Sequence, residues 1–217
     1  SKTSAELGEE ASAKANQTVI VAGSMGPTGE ILSPIGDLSE ALAIEIFHEQ
    51  AEGLKAGGAD VLWIETISAK EEFISAVKAA ELANMPWCGT MSFDSSGRTM
   101  MGFTSTQMTT LIQTLNKNLI AYGANCGVGA SDLLRTVLGF EQTKYPLIAK
   151  GNAGIPKYKD GHIHYDGTPE LMADYACLAR DSGAKIIGGC CGTTPIHLKK
   201  MKYALESRPP KPPPTHI

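Results

Sequence analysis

Along this chain, short runs of consecutive apolar residues alternate with longer stretches in which apolar residues recur every three or four positions. The short runs are TVIVAG (18–23), DVLWIET (60–66), WCGTMSF (87–93), LIAYGAN (119–125), PLIAKGN (146–152) and KIIGG (185–189). Most are continuous rather than alternating in apolar character, which predicts parallel strands covered on both faces. The stretches between them predict helices with recognisable starts. Asp37 with Glu40 and Ser68 with Glu71 are spaced as capping boxes, Thr104 with Gln107 opens a third helix, and Ser131 caps a fourth. Thr168–Pro169 and Thr194–Pro195 each set a capping hydroxyl before a first-turn proline. Gly57–Gly58, Ala83–Asn84 and Ser182–Gly183 supply stops.

Six strand-then-helix units in a row imply an α/β fold with a parallel sheet and right-handed crossovers. The expected class is a (β/α)8 TIM-barrel type, with a doubly wound open sheet as the alternative. The segment AELGEEASAKA (5–15) reads as the end of a helix before the first strand. On that count the first two βα units of an eight-unit barrel are expected to be missing. Residues 1–206 read as one barrel domain, and 207–217 as a Pro-rich C-terminal tail.

Charge and composition narrow the partners. Lys and Arg total 19 against 23 Asp and Glu, a formal net charge of −4. With no basic excess to neutralise phosphates, neither a nucleic acid nor an anionic membrane is an expected partner. No apolar run approaches the roughly 18–20 residues that span a bilayer. The first residues lack the apolar core and basic flank of a secretory signal. The expectation is a soluble, cytoplasmic protein, for which a homo-oligomer is an open option.

Five cysteines, Cys88, Cys126, Cys177, Cys190 and Cys191, are an odd number in a chain of 217 residues. Neighbours such as Cys190 and Cys191 are too close along the chain for a relaxed disulfide. In a reducing compartment the set reads first as metal-binding or catalytic. Cys126 follows the fourth strand run and Cys190–Cys191 the sixth. In a parallel barrel both places fall on the C-terminal rim, where active sites are built. Three thiolates from two strand ends can hold one zinc ion and leave its fourth position open, as catalytic sites do. Cys88 and Cys177, at strand and helix core spacing, read as buried small hydrophobes.

Other readings compete at the same rim. GGCCGTTP opens a helix with a glycine-rich turn, which would also cradle a phosphate through backbone N–H groups. His197 reads as a first-turn polar residue, with a fourth-ligand role as the alternative. His162 and His164, two apart in GHIHYDG, are placed in a loop. Glu65 ends the run DVLWIET, so its carboxylate is a candidate for holding a substrate ammonium. Asn152, ending PLIAKGN, is a weaker substrate-binding candidate at the rim.

The motifs GGCCGTTPIH (188–197) and GANCG (123–127) resemble the zinc-dependent homocysteine S-methyltransferase family. Supporting stretches are VAGSMGPTGE (21–30), WIET (63–66), SFD (92–94) and KGNAG (150–154). Through HEQAEGLKAGGADVLWIET (48–66) the chain looks most similar to bacterial betaine–homocysteine methyltransferases. The resemblance implies a (β/α)8 barrel, zinc on Cys126, Cys190 and Cys191, and the homocysteine amino group on Glu65. It implies methyl transfer from a cationic donor, betaine or a related ammonium or sulfonium compound, to homocysteine, giving methionine. Thr66 stands where some betaine enzymes have tyrosine, and the family's opening DGA-G-T-like turn is absent from these residues. Tyr122 and Phe93 are the aromatic candidates left for the donor cation, with a core role as the commoner reading at such positions. The rival expectation is an incomplete barrel, inactive without a further N-terminal segment or partner.

Overall fold

The computed structural model describes residues 2–15, 18–94, 97–115, 117–159 and 161–212. His216 and the end of the Pro-rich tail, 213–217, lie outside the described residues. Six parallel strands form one sheet: β1 (Ala22–Met25), β2 (Val61–Ile67), β3 (Trp87–Ser92), β4 (Leu119–Cys126), β5 (Leu147–Gly151) and, after a hairpin, β8 (Ile186–Gly189). Their order is β1-β2-β3-β4-β5-β8, each strand beside its predecessor in the chain. The helices are α1 (Lys2–Ala13), α2 (Glu40–Ala56), α3 (Lys70–Leu82), α4 (Ser105–Thr114), α5 (Ala130–Leu138), α6 (Pro169–Asp181) and α7 (Pro195–Ser207). This is the α/β barrel-type topology with six βα units, as the apolar pattern predicts. Among the described residues no helix is long and apolar enough to cross a membrane.

The chain divides into two compact units, residues 1–90 with 112–121 and residues 91–111 with 122–217. In the first, α2 buries Ala43, Phe47, Ala51 and Leu54, one face at helical spacing. Leu62 and Ile64 of β2 are fully buried, and Phe73 of α3 meets Trp87 of β3 edge-on at 6.1 Å. Each such side chain contributes about 1.5–3 kcal/mol on burial. A β-carbon on Gly89 would lie 2.5 Å from the Phe73 ring, so the strand can run under that ring only as glycine. Glu72, a buried carboxylate on α3, accepts from Thr28 N (2.8 Å) and Thr28 Oγ1 (2.7 Å), which offsets its desolvation.

In the second unit, Tyr122 and Phe93 each meet Phe140 edge-on, at 5.5 and 5.8 Å. Both are buried, so the core reading of these two positions holds and neither presents a face to a donor cation. Cys177 is likewise buried and packs with Ala173 of α6 and Ala204 of α7, as its spacing predicts. In the first unit, burial raises the thiol of Cys88, in β3, to about 11, which makes it an inert hydrophobe.

Several local expectations shift. The first strand begins four residues later than the apolar run, at Ala22, because Ile20 is exposed and the Val21 backbone instead binds Asp60. Ser39, not Asp37, caps α2, accepting from Leu42 N at 3.2 Å. The α3 start at Ala69 has no side-chain cap, and Gly129 rather than Ser131 precedes α5. The Thr104–Gln107 box is present in both directions, and Thr168 caps α6. The segment placed in a loop is instead a hairpin, β6 (Pro156–Lys159) with β7 (His162–Tyr165), inserted between β5 and α6.

Candidate metal centre

Strand register brings the thiols together. Cys126 of β4 pairs with Gly151 of β5, and Gly151 pairs with Gly189 of β8. One row at the C-terminal strand ends therefore carries Cys126 at one side and leads directly into Cys190 and Cys191 at the other. The chain turns sharply there. Cys126 itself has φ 61°, and Gly127 follows at φ 73°. A left-handed non-glycine residue is strained, and such strain concentrates at functional positions. Gly189 lies against Thr193, whose Oγ1 would be 2.2 Å from an added β-carbon, so the turn closes tightly only with glycine.

The result is a compact sulfur cluster. Cys126 Sγ and Cys191 Sγ are 3.8 Å apart, and all three Sγ atoms lie within 4.8 Å of one another. Tetrahedral thiolates at 2.3 Å from a zinc ion stand about 3.8 Å apart, so the donor set fits that ion with small adjustments. Among the described residues this is the group of three His, Cys, Asp or Glu side chains able to hold a metal. Cys191 is exposed and the other two are half-buried, so the cluster opens on one side to a ligand.

The surrounding polar groups act on the sulfurs. The Cys126 thiol, hydrogen-bonded to Cys190, lowers the Cys190 thiol to about 5, helped by Asn125 and by the charge of Lys150. The same bond and burial push Cys126 well above the ordinary thiol range. One sulfur is thus readily ionised, while its neighbour resists losing a second proton nearby. Asn125, fully buried, donates from Nδ2 to Cys190 Sγ at 3.6 Å.

Asn152 is buried and spans the two cysteine loops, donating from Nδ2 to Gly127 O (2.8 Å) and accepting at Oδ1 from Cys191 N (3.0 Å). Tyr175, a buried side chain of α6, accepts from Gly151 N at 3.0 Å and supports the row from below. Tyr165, at the end of β7, lies with its ring against Gly192 and its hydroxyl beside the Cys191 sulfur. Desolvation and that sulfur raise its ionisation above the ordinary tyrosine range. Asn125, Tyr165 and Tyr175 escape sequence reasoning. Only Asn125 had a signal, as the polar residue preceding Cys126 at a strand end.

His197 stands apart from the sulfurs. Its Nδ1 accepts from Thr194 N (3.1 Å), its Nε2 lies 2.9 Å from Gly167 O, and the ring completes the cap of α7. The phosphate-cradle alternative meets the same obstacle. Turn amides that would face an anion are taken: Cys190 N by Gly151 O, Cys191 N by Asn152, Thr193 N by Cys190 O and Thr194 N by His197. In the other unit, Glu65 is half-buried near the end of β2 and accepts from Ser24 Oγ at 2.5 Å. Thr66, next to it, has φ 64°, an outlier for a β-branched residue.

Residues 1–205 match the sequence profile of homocysteine S-methyltransferases. The chain belongs to this family. Methionine synthase of Mycobacterium tuberculosis is 27% identical to this homocysteine S-methyltransferase family member over 195 residues, 86% of this chain and 16% of that protein. The chain thus spans about a sixth of that curated relative. The homocysteine methyltransferase MmuM of Escherichia coli superposes in its apo form with a TM-score of 0.68 at 24% identity, over 92% of this chain and 66% of that one. Its metallated form gives 0.67 at 25% identity, over 90% and 65%. The barrel-type fold expected from the motifs agrees with these likenesses.

Proposed function

We propose that this family member transfers a methyl group from a cationic donor to the thiol of homocysteine, giving methionine, with zinc held by Cys126, Cys190 and Cys191. The observation that carries the reading is the approach of three sulfurs to tetrahedral spacing at the open strand ends. Family membership supports the acceptor, and the metallated form of the Escherichia coli relative supports a metal. The proposed donor is glycine betaine or a related ammonium or sulfonium compound.

Bound zinc would supply a mild Lewis acid that keeps a substrate thiol ionised near neutral pH. The protein's own groups do the rest. Asn152 holds the two cysteine loops in register, and Asn125 hydrogen-bonds Cys190 so that its sulfur faces the cluster. Glu65 takes the homocysteine ammonium. The substrate sulfur forms a bond to the methyl carbon as the carbon–nitrogen or carbon–sulfur bond of the donor breaks. The bonding pair stays on the departing donor atom and cancels its charge, and the thiol proton leaves to solvent. Charge is neutralised in that step, so a site that excludes water favours it.

Elemental analysis of purified protein before and after Cys190→Ser tests the metal, and methionine formation from homocysteine with betaine or a sulfonium donor tests the reaction. Near one zinc per chain, lost together with activity in the variant, is the expected result. Folded protein that takes up no zinc would overturn the reading and favour a barrel segment inactive alone.

A further inference from the structure

The β6–β7 hairpin has two chemically distinct faces. Its register pairs Pro156 with Tyr165 and Tyr158 with Ile163, and between them Lys157 with His164 and Lys159 with His162. Because successive residues of a strand point to opposite faces, Pro156, Tyr158, Ile163 and Tyr165 share one face and the four basic side chains the other. Tyr165 tells which face is turned to the cluster, since its ring lies on Gly192 and its hydroxyl beside Cys191. The apolar face therefore continues outward from the thiols.

That face is unusually bare. Tyr158 is 79% exposed and Ile163 62%. Meanwhile the hairpin base is fixed: Lys157 Nζ pairs with Asp166 Oδ2 at 2.5 Å, Ile155 N donates to Asp166, and Gly167 N donates to Ala153 O. A rigid base with a bare aromatic end is the form of a binding wall rather than of a loose loop. Tyr158 and Tyr165 are diagonal cross-strand neighbours, and such positions lie roughly 7–8 Å apart. On one face at that spacing the two side chains form a continuous aromatic strip, against whose π faces a methylated cationic head can lie. With Tyr122 and Phe93 committed to the core, Tyr165 is the ring beside Cys191 and Tyr158 is its diagonal neighbour on the same face of the hairpin.

We propose that Tyr158 and Tyr165 form the wall that receives the quaternary-ammonium or sulfonium head of the methyl donor beside the thiol cluster. Three thiolates around a dication leave a net negative charge, which complements that head. The basic face of the hairpin is directed away, and Lys157 is already neutralised by Asp166. The inference rests on the methyl-transfer reading for its ligand, but it is testable without turnover.

The test uses choline and its uncharged carbon isostere, 3,3-dimethylbutanol, as probes on the full chain, with binding read from ligand methyl resonances by saturation transfer. Choline is expected to bind more tightly than the isostere. Tyr158→Leu is expected to weaken choline about five-fold or more, and Tyr158→Phe, which keeps the π face, to restore it. Zinc uptake by each variant, measured in parallel, confirms an intact cluster, and the exposure of Tyr158 leaves the fold undisturbed. Equal affinity of wild type and Tyr158→Leu, no preference over the isostere, or failure of phenylalanine to rescue would each overturn the proposal. If wild type binds choline through Tyr158 yet takes up no zinc, the hairpin assignment stands and the methyl-transfer reading falls. If zinc and homocysteine turnover are normal and choline does not depend on Tyr158, the hairpin assignment alone falls.

Discussion

Asn152 holds Cys191 by its backbone, Oδ1 accepting from Cys191 N at 3.0 Å, while its Nδ2 donates to Gly127 O at 2.8 Å on the loop that bears Cys126. One buried amide thus ties together two segments whose cysteines are far apart in the chain. A side chain with one donor end and one acceptor end is suited to this task, and its isosteric acid is not.

Asn152→Ala is expected to leave Cys191 N and Gly127 O without that partner, at a cost of about 1–3 kcal/mol in stability. Zinc affinity should fall about 10- to 100-fold, the range seen when a group that orients metal ligands is removed. Thermal unfolding and competition with a chromophoric chelator read the two effects. Unchanged zinc affinity would count against the clamp.

Gly192 has φ 75°, and a β-carbon there would lie 2.3 Å from the Tyr165 ring. Gly192→Ala should therefore cost about 1–3 kcal/mol through strain and overpacking, and it should displace the hairpin from Cys191. Faster alkylation of Cys191 by iodoacetamide in metal-free protein would register that displacement. Equal rates in variant and wild type would show that the ring does not shield the sulfur.

Metal binding should raise thermal stability in proportion to free zinc, by about 2.7 kcal/mol at a hundred times the dissociation constant. Cys126→Ser should abolish most of the rise, because no pair spans the two loops without it. A melting temperature that rises equally in wild type and Cys126→Ser would place the metal elsewhere.

Arg180 and Asp181, at the end of α6, fasten the C-terminal segment. The guanidinium donates to the carbonyls of Arg208 (2.7 Å) and Pro209 (3.0 Å), and Asp181 Oδ1 accepts from Lys211 N (3.1 Å). Arg180 holds the Asp181 carboxyl below its ordinary value of 3.8. A depressed carboxyl stabilises the folded state above that value and loses its contribution as pH falls through the folded one. Asp181→Asn should therefore be less stable than wild type at neutral pH by up to about 1 kcal/mol, with the gap closing in acid. Melting temperatures across that range, with proteolysis of the tail, decide it. A gap that persisted in strong acid would show that the charge is not the cause.

Much of the architecture was legible from local signals. Continuous apolar runs marked all six strands of the sheet, and paired hydroxyl and proline positions at Thr168 and Thr194 marked the starts of α6 and α7. The failures were short-range too. Asp37 lost its cap to Ser39, which stands immediately before the first helical residue, and the hairpin escaped because its strands are only four residues long and almost wholly exposed. Exposed strands lack the apolar pattern that a buried face imprints on a sequence. At the site, the position of each cysteine after a strand end was readable. Asn152 was read as a rim residue, but not as a bridge between the two loops.

By itself, the sequence determined the order of six βα units, the inert burial of Cys88 and Cys177, and the arrival of Cys126, Cys190 and Cys191 at strand ends. These follow from interactions between near neighbours: helix caps, apolar periodicity and the glycines that permit a turn. Only the tertiary structure decided that Cys126 comes within 3.8 Å of Cys191, that Asn152 bridges their loops, and that Tyr165 closes over Gly192. Those contacts depend on strand register, which pairs Cys126 with Gly151 and Gly151 with Gly189. Register is set by how whole strands and helices pack, and a shift of one residue would turn every side chain to the opposite face.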